Sequence, residues 1–181
     1  MPTPAALAER ALLLEVAATP TPGNVDRERD LPALRFEQFL AGASGARAGF
    51  DAIAAGEGIA DGFETAVAGM AEASGTNTQF GSLLLIAPLL RAAAETDALT
   101  PAAATSAVGA TTVDDAAAFY RSFEHVDVRV DDPPADLEPL DVRRGADAVP
   151  TLRERGLTLA DVMETARDRD GIAAEWSSGF E

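Results

Sequence analysis

An all-α fold, a single-domain helical bundle of about seven helices joined by Pro/Gly-rich loops, is what this sequence predicts, and three observations carry it. Apolar residues recur at three-to-four spacing almost everywhere. Thr-initiated capping boxes stand in front of several of those runs. Strand-like alternation is nearly absent, being clean only over Val126-Asp127-Val128-Arg129-Val130.

Taken in order, Leu7, Leu12, Leu13, Val16 and Ala17 place a first helix over about Pro4 to Ala18, ended by Pro20. A loop runs on to about Asp30, which caps a second helix with Pro32 just inside and a stripe of Leu34, Phe36, Phe39, Leu40 and Ala43. Gly42, Gly45 and Gly49 weaken the end of that helix, and Gly56, Gly58 and Gly62 punctuate the next stretch. Phe63, Ala66, Val67 and Met70 mark a third helix that closes near Ser74-Gly75. Thr76-x-x-Gln79 has the form of a capping box before Phe80, Leu83, Leu84, Ala87 and Leu90, a helix apolar on nearly all sides and the expected buried centre. Thr100-Pro101, Thr112-x-x-Asp115 and Thr158-x-x-Asp161 start three more. The acidic, proline-bearing segment Asp131 to Asp141 reads as a linker.

The 181 residues, 47% of them hydrophobic, suffice for one core, hence one domain over 1–181. Basic residues number 14 against 30 acidic ones, for a formal net charge of -16, and every basic residue is arginine. GC-rich coding accounts for arginine and alanine but not for the acid excess. The composition therefore points to a salt-adapted intracellular protein whose self-repulsion is screened only at high ionic strength. The same charge excludes nucleic-acid partners and anionic membrane surfaces, which require a contiguous basic face. Without cysteine there is no disulfide or thiolate, and a single histidine, His125, excludes a multi-histidine metal site. The longest apolar run, Leu83 to Leu90, falls far short of the ~20 residues that span a bilayer, and Glu9 and Glu15 make the N-terminus unlike a signal peptide. A cytoplasmic location is expected.

Three segments put backbone-bending and polar residues beside apolar helices, where helical proteins build sites. Pro22-Gly23-Asn24-Val25-Asp26 is either an interhelical loop with local Asn and Asp turns or a binding loop. Thr76-Asn77-Thr78-Gln79-Phe80-Gly81 caps a helix, and the unpaired N–H groups of such a start also favour a phosphate. In Arg167-Asp168-Arg169-Asp170-Gly171-Ile172-Ala173-Ala174-Glu175-Trp176, Ile172 and Trp176 sit one turn apart and should pack, while Asp168 and Glu175 share another face. Arg143-Arg144 is a phosphate contact or a pair of surface salt-bridge partners.

Together these segments resemble the triphosphoribosyl-dephospho-CoA synthase family. There an apolar helix leads into a Pro-Gly-Leu-Val-Asp type loop, a Gly-x-Asn-Thr-His-Lys-Gly type segment opens a later apolar helix, and a further helix reads Arg-Asp-x-Ile-Ala-x-Glu-Tyr before Gly-Phe. The similarity runs along the whole chain and corresponds to the N-terminal two-thirds of the family, whose members continue past the counterpart of Gly179-Phe180. It implies an ATP-binding transferase, here a salt-adapted archaeal member, in which the ribose 2'-hydroxyl of dephospho-CoA displaces adenine from ATP with Mg2+ present. It assigns Asp26 to the metal ion or a ribose hydroxyl and, with Asp170 and Glu175, to the catalytic carboxylates. Gly23, Asn24, Asn77, Thr78, Gly81 and Arg143 become nucleotide contacts. On this reading Asp26 serves the ligand and not the fold.

Two departures leave the acceptor open between dephospho-CoA and another ribosyl acceptor. Arg27-Glu28-Arg29-Asp30-Leu31 stands where family members have a Gly-Ala-His-x-Asp type element, and Gln79-Phe80 where they have His-Lys, so a cation that could neutralise a triphosphate is gone. The alternative is a non-catalytic nucleotide-binding or structural module that keeps the fold. The oligomeric state is not legible.

Overall fold

Glycine, in this chain, is used where helices touch more than where they break. A Cβ on Gly45 would strike the carbonyl of Gly69, and one on Gly49 would strike the carbonyl of Gly62 and the amide of Ala66. The backbones of neighbouring helices therefore meet with nothing between them. The computed structural model describes residues 2–96 and 98–180. Among these it contains ten α-helices and no strand, so the all-α class holds and the expected seven helices become ten.

The helices are α1 (Pro4–Ala17), α2 (Phe36–Gly45), α3 (Arg47–Ala55), α4 (Ile59–Ser74), α5 (Phe80–Glu95), α6 (Pro101–Gly109), α7 (Val113–Ser122), α8 (Val149–Arg155), α9 (Leu159–Ala166) and α10 (Gly171–Ser178). Short 3-10 segments occupy Ala135–Leu140 and Val142–Ala148. The extra helices arise where the second predicted helix divides into α2 and α3, and where the C-terminal third forms α8, α9 and α10. The glycines expected to weaken α2 instead lie in the contact of α2 and α3 with α4.

α4 packs against α2, α3, α5 and α7, while α5 packs against α1, α3, α4, α6 and α10, so the centre is shared between them. One hydrophobic cluster runs from Ala5 on α1 to Trp176 on α10, and a satellite of Val16, Val25 and Phe39 seals the first loop. Phe63, Phe80, Phe119, Tyr120 and Phe123 form an aromatic knot with centroids 4.9 to 6.2 Å apart along successive pairs.

α10 is held by a bond that proline creates. Pro88 lies inside α5 and has no N–H, so the carbonyl four residues earlier, Leu84, loses its helical donor. The indole Nε1 of buried Trp176 donates to that carbonyl at 3.2 Å.

The helix starts show which sequence signals hold. Thr112 and Thr158 form their capping boxes with Asp115 and Asp161, and Thr100 caps α6. The second helix does not start at Asp30: Pro32 and Leu34 lie in a tight Leu31–Leu34 turn outside it, and Arg35 is its N-cap, with the Gln38 side chain accepting from the Arg35 amide at 2.9 Å. Asp30 reaches the helix only across that turn, accepting from the Phe36 amide at 2.9 Å. The box at Thr76 does not form. Gln79, 5% exposed, is drawn against α1, where its Nε2 donates to the Leu12 carbonyl at 3.2 Å. Asn77 caps in its stead, Oδ1 accepting from the Phe80 amide at 3.2 Å.

Candidate functional site

The α4–α5 connection is rigid for local reasons. Gly75 turns the chain in the left-handed region, and the Ser74 hydroxyl donates to the Thr76 carbonyl at 2.6 Å. Asn77 then faces two ways: while its Oδ1 caps α5, its Nδ2 donates to the Asp127 carbonyl at 3.2 Å. That second bond ties the start of α5 to the extended segment 126–130, fifty residues on. On the other side, the space beside Gly81 is filled by Ile172 of α10, whose Cδ1 would lie 2.8 Å from any Cβ there. Gly81 thus permits the close packing of α10 on the first turn of α5.

The segment after Val130 is not a linker. Asp131 to Asp141 folds over the aromatic knot and is fastened by Tyr120, whose hydroxyl donates to the Leu140 carbonyl at 2.6 Å. Burial, with the nearby Asp141 carboxylate, pushes the Tyr120 phenol well above its ordinary range, so it stays a donor. Beneath this strap lies a cavity of about 1090 Å³. Its walls are the first turn of α5, the strap, and the α9–α10 junction, and Phe80, Phe119, Tyr120 and Phe123 lie along it. Such a volume stands at the upper end of small-molecule pockets, roughly 300–1,000 Å³, and has room for more than a nucleotide alone.

Into this cavity the fold brings segments that are remote in sequence, Asn77 to Gly81 and Asp170, with Asp131, Arg129 and Arg169 beside them. A family model described as CitG, ATP:dephospho-CoA triphosphoribosyl transferase, matches residues 1–181. The chain belongs to that family. Its membership supports an ATP-dependent transfer of a triphosphoribosyl group to dephospho-CoA as the activity. No curated protein and no solved structure matches the chain.

The residues assigned from the family resemblance divide in this transferase. Asn77, Thr78, Gly81 and Asp170 line the cavity. Asp170 caps α10, one carboxylate oxygen accepting from the Ala173 amide at 2.8 Å and the other having no partner among the described residues. Glu175, five residues on, is exposed on α10 and is not part of the lining. Asp168 precedes the first turn of α10, so the face expected to join it to Glu175 does not exist. Arg143 sits outside the lining and is committed to Asp132 at 2.9 Å and to Asp141, the surface salt-bridge role.

Gly23, Asn24 and Asp26 also lie outside the cavity lining. Gly23 takes a left-handed φ of 84° and Asn24 Oδ1 accepts from the Val25 amide, both local turn roles. Asp26 is 4% exposed, and its two oxygens accept from the Thr21 and Glu28 amides at 2.8 Å each. The expectation that Asp26 serves no purpose in the fold is therefore corrected: it closes the loop over the satellite core. The Thr21 and Glu28 amides lower its pKa, with Arg29 adding to the effect.

A carboxylate with a lowered folded-state pKa adds stability that is present above its unfolded value of about 3.9 and is lost as pH falls through the folded one. Asp26→Asn replaces one acceptor by an NH2 that must face an N–H. The variant should melt below the parent at pH 7, and the gap should close as the pH is taken below 4. Equal melting temperatures at pH 7 would remove Asp26 from the loop's support.

Sequence reasoning missed Arg129, Asp131, Arg169 and Tyr120. Arg129 carried a signal, since the alternation of Val126, Val128 and Val130 leaves it on the polar edge. Tyr120 carried none, because its partner carbonyl is twenty residues away.

Proposed function

We propose that the transferase binds ATP and dephospho-CoA together in the cavity beneath the 131–141 strap. The single observation that supports this best is the convergence there of Asn77 to Gly81 with Asp170 over an aromatic floor. Phe119 and Phe123 offer apolar surface to a purine, and Asn77, Thr78 and Gly81 orient the sugar and phosphates from the start of α5.

In the reaction the C1'–N9 bond of ATP breaks as the 2'-oxygen of the acceptor bonds to C1', leaving a triphosphoribosyl group on dephospho-CoA. The proton of the attacking hydroxyl is the one adenine carries away. The uncommitted oxygen of Asp170 is suited to accept that proton and to stabilise positive charge at C1'. Glu175 lacks this placement.

Mg2+ takes one or two carboxylates and completes its shell with water and phosphate oxygens. Among the described residues no group of three or more His, Cys, Asp or Glu is placed to hold a metal ion. Asp131 on the wall would therefore be the protein's single ligand to an Mg2+ arriving on the triphosphate, in a donor set otherwise of water and phosphate oxygens. Asp26 could join one only by giving up the Thr21 and Glu28 amides. The decisive test is adenine release from ATP by the purified chain, dependent on dephospho-CoA. ATP binding without release would leave the non-catalytic module in first place.

We further read the acidic composition as adaptation to a salt-rich, archaeal cytoplasm. Among the described residues no helix is long and apolar enough to cross a membrane. With a net charge of -16, the melting temperature should climb steeply as KCl rises from dilute buffer toward molar concentration. A flat or falling curve would refute the adaptation.

A further inference from the structure

We propose that Arg129 and Arg169 form, with the open amides at the start of α5, the receptor for the terminal phosphates of the nucleotide, and so set a preference for a triphosphate over a monophosphate. This rests on the cavity being the nucleotide site. The two arginines come from different parts of the chain, and close sequence neighbours of each touch the same helix start. Arg129 is two residues beyond Asp127, whose carbonyl accepts from Asn77, the residue that caps α5. Arg169 is three residues before Ile172, which fills the space beside Gly81 in the first turn of α5. Both line the cavity.

Two of the amides at this start are unspent. The Gln79 and Phe80 amides are engaged, by the Met70 sulfur and by Asn77 Oδ1. The amides of Gly81 and Ser82 have no acceptor among the described residues and stand at the positive end of a sixteen-residue helix.

Charge around the pair is arranged to leave it available. No carboxylate lies within ion-pair distance of Arg129 or Arg169 among the described residues; Arg169 donates only to the Thr165 carbonyl, at 3.3 Å. Of the acidic side chains on the wall, Asp132 and Asp141 are taken up by Arg143, leaving Asp131 and Asp170. Guanidinium groups bind phosphate oxygens in pairs, with geometry that an ammonium cannot match. The cation absent at Phe80 is thereby supplied from two other elements.

The test is calorimetric titration of the parent, Arg129→Gln, Arg169→Gln and the double variant with ATP, AMP and inorganic tripolyphosphate, at one salt concentration where circular dichroism shows all four folded. Each single change should weaken ATP and tripolyphosphate about tenfold and leave AMP within about twofold, and Arg→Lys at either position should restore part of the loss. If the parent binds ATP while the Gln variants keep its affinity, or if AMP suffers as much as ATP, the arginine assignment is wrong and the cavity reading stands. If the folded parent binds neither ATP nor tripolyphosphate, the cavity reading fails and this one with it.

Discussion

Gly49→Ala is expected to destabilise the protein by about 3 kcal/mol or more, at or beyond the upper end of ordinary overpacking. Helix propensity argues the opposite sign, since alanine in a helix interior is better than glycine by roughly 0.5–1 kcal/mol. Packing decides because the new methyl would meet backbone, the Gly62 carbonyl and the Ala66 amide, and also the Ala66 Cβ at 2.6 Å. A side chain can change rotamer, whereas α4 would have to move bodily, and α4 is held by α2, α5 and α7 as well. Gly109→Ala supplies the control. It is helical, nothing lies within 4 Å of the added methyl, and the change should be neutral or slightly stabilising. Denaturant melts of the two variants check this, and a Gly49→Ala protein as stable as the parent would show that α3 and α4 do not meet at these glycines.

Asp170→Asn is expected to lower the rate of adenine release by about 10²–10⁴-fold, the usual contribution of a positioned acid or base. The substitution separates chemistry from structure. Asn caps a helix nearly as well as Asp, so the bond to the Ala173 amide survives and stability should change by no more than a few tenths of a kcal/mol. What is lost is the charge on the second oxygen. Affinity for ATP in the absence of acceptor should be nearly unaltered, and the defect should fall on turnover. A rate within threefold of the parent would exclude Asp170 as the carboxylate that receives the hydroxyl proton. Glu175→Gln, in contrast, should leave turnover close to the parental value, because that side chain is exposed on α10 away from the cavity.

How much of the fold is legible in the chain depends on how local each signal is. The boxes at Thr112 and Thr158 involve groups three residues apart, and both form. The box at Thr76 has the same spacing and does not, because Gln79 finds a partner on α1, Leu12, sixty-seven residues earlier in the chain. Alternation over 126–130 marks that segment as non-helical, and it is, yet the acidic run after it reads as a spacer and is not one. Nothing within Asp131 to Asp141 announces that Tyr120 will bind Leu140 and turn the run into a wall. The assigned site residues behave alike: Asn77, Thr78, Gly81 and Asp170 gather around one cavity, whereas Asp26 is held by amides two and five residues away.

By itself the sequence determined the helical class, the starts of α1, α6, α7 and α9, the acidic surface and, through three motifs, the transferase family, since all of these rest on interactions within a few residues or on composition. Only the tertiary structure decided which carboxylate is free and which arginines face the cavity. It also decided that glycines which look like helix breakers are contact points, and that the carbonyl released by Pro88 is met by Trp176. Those outcomes depend on what approaches from ninety residues away, and a polar group's role is set by whether its hydrogen bonds are already satisfied when the chain has closed around it.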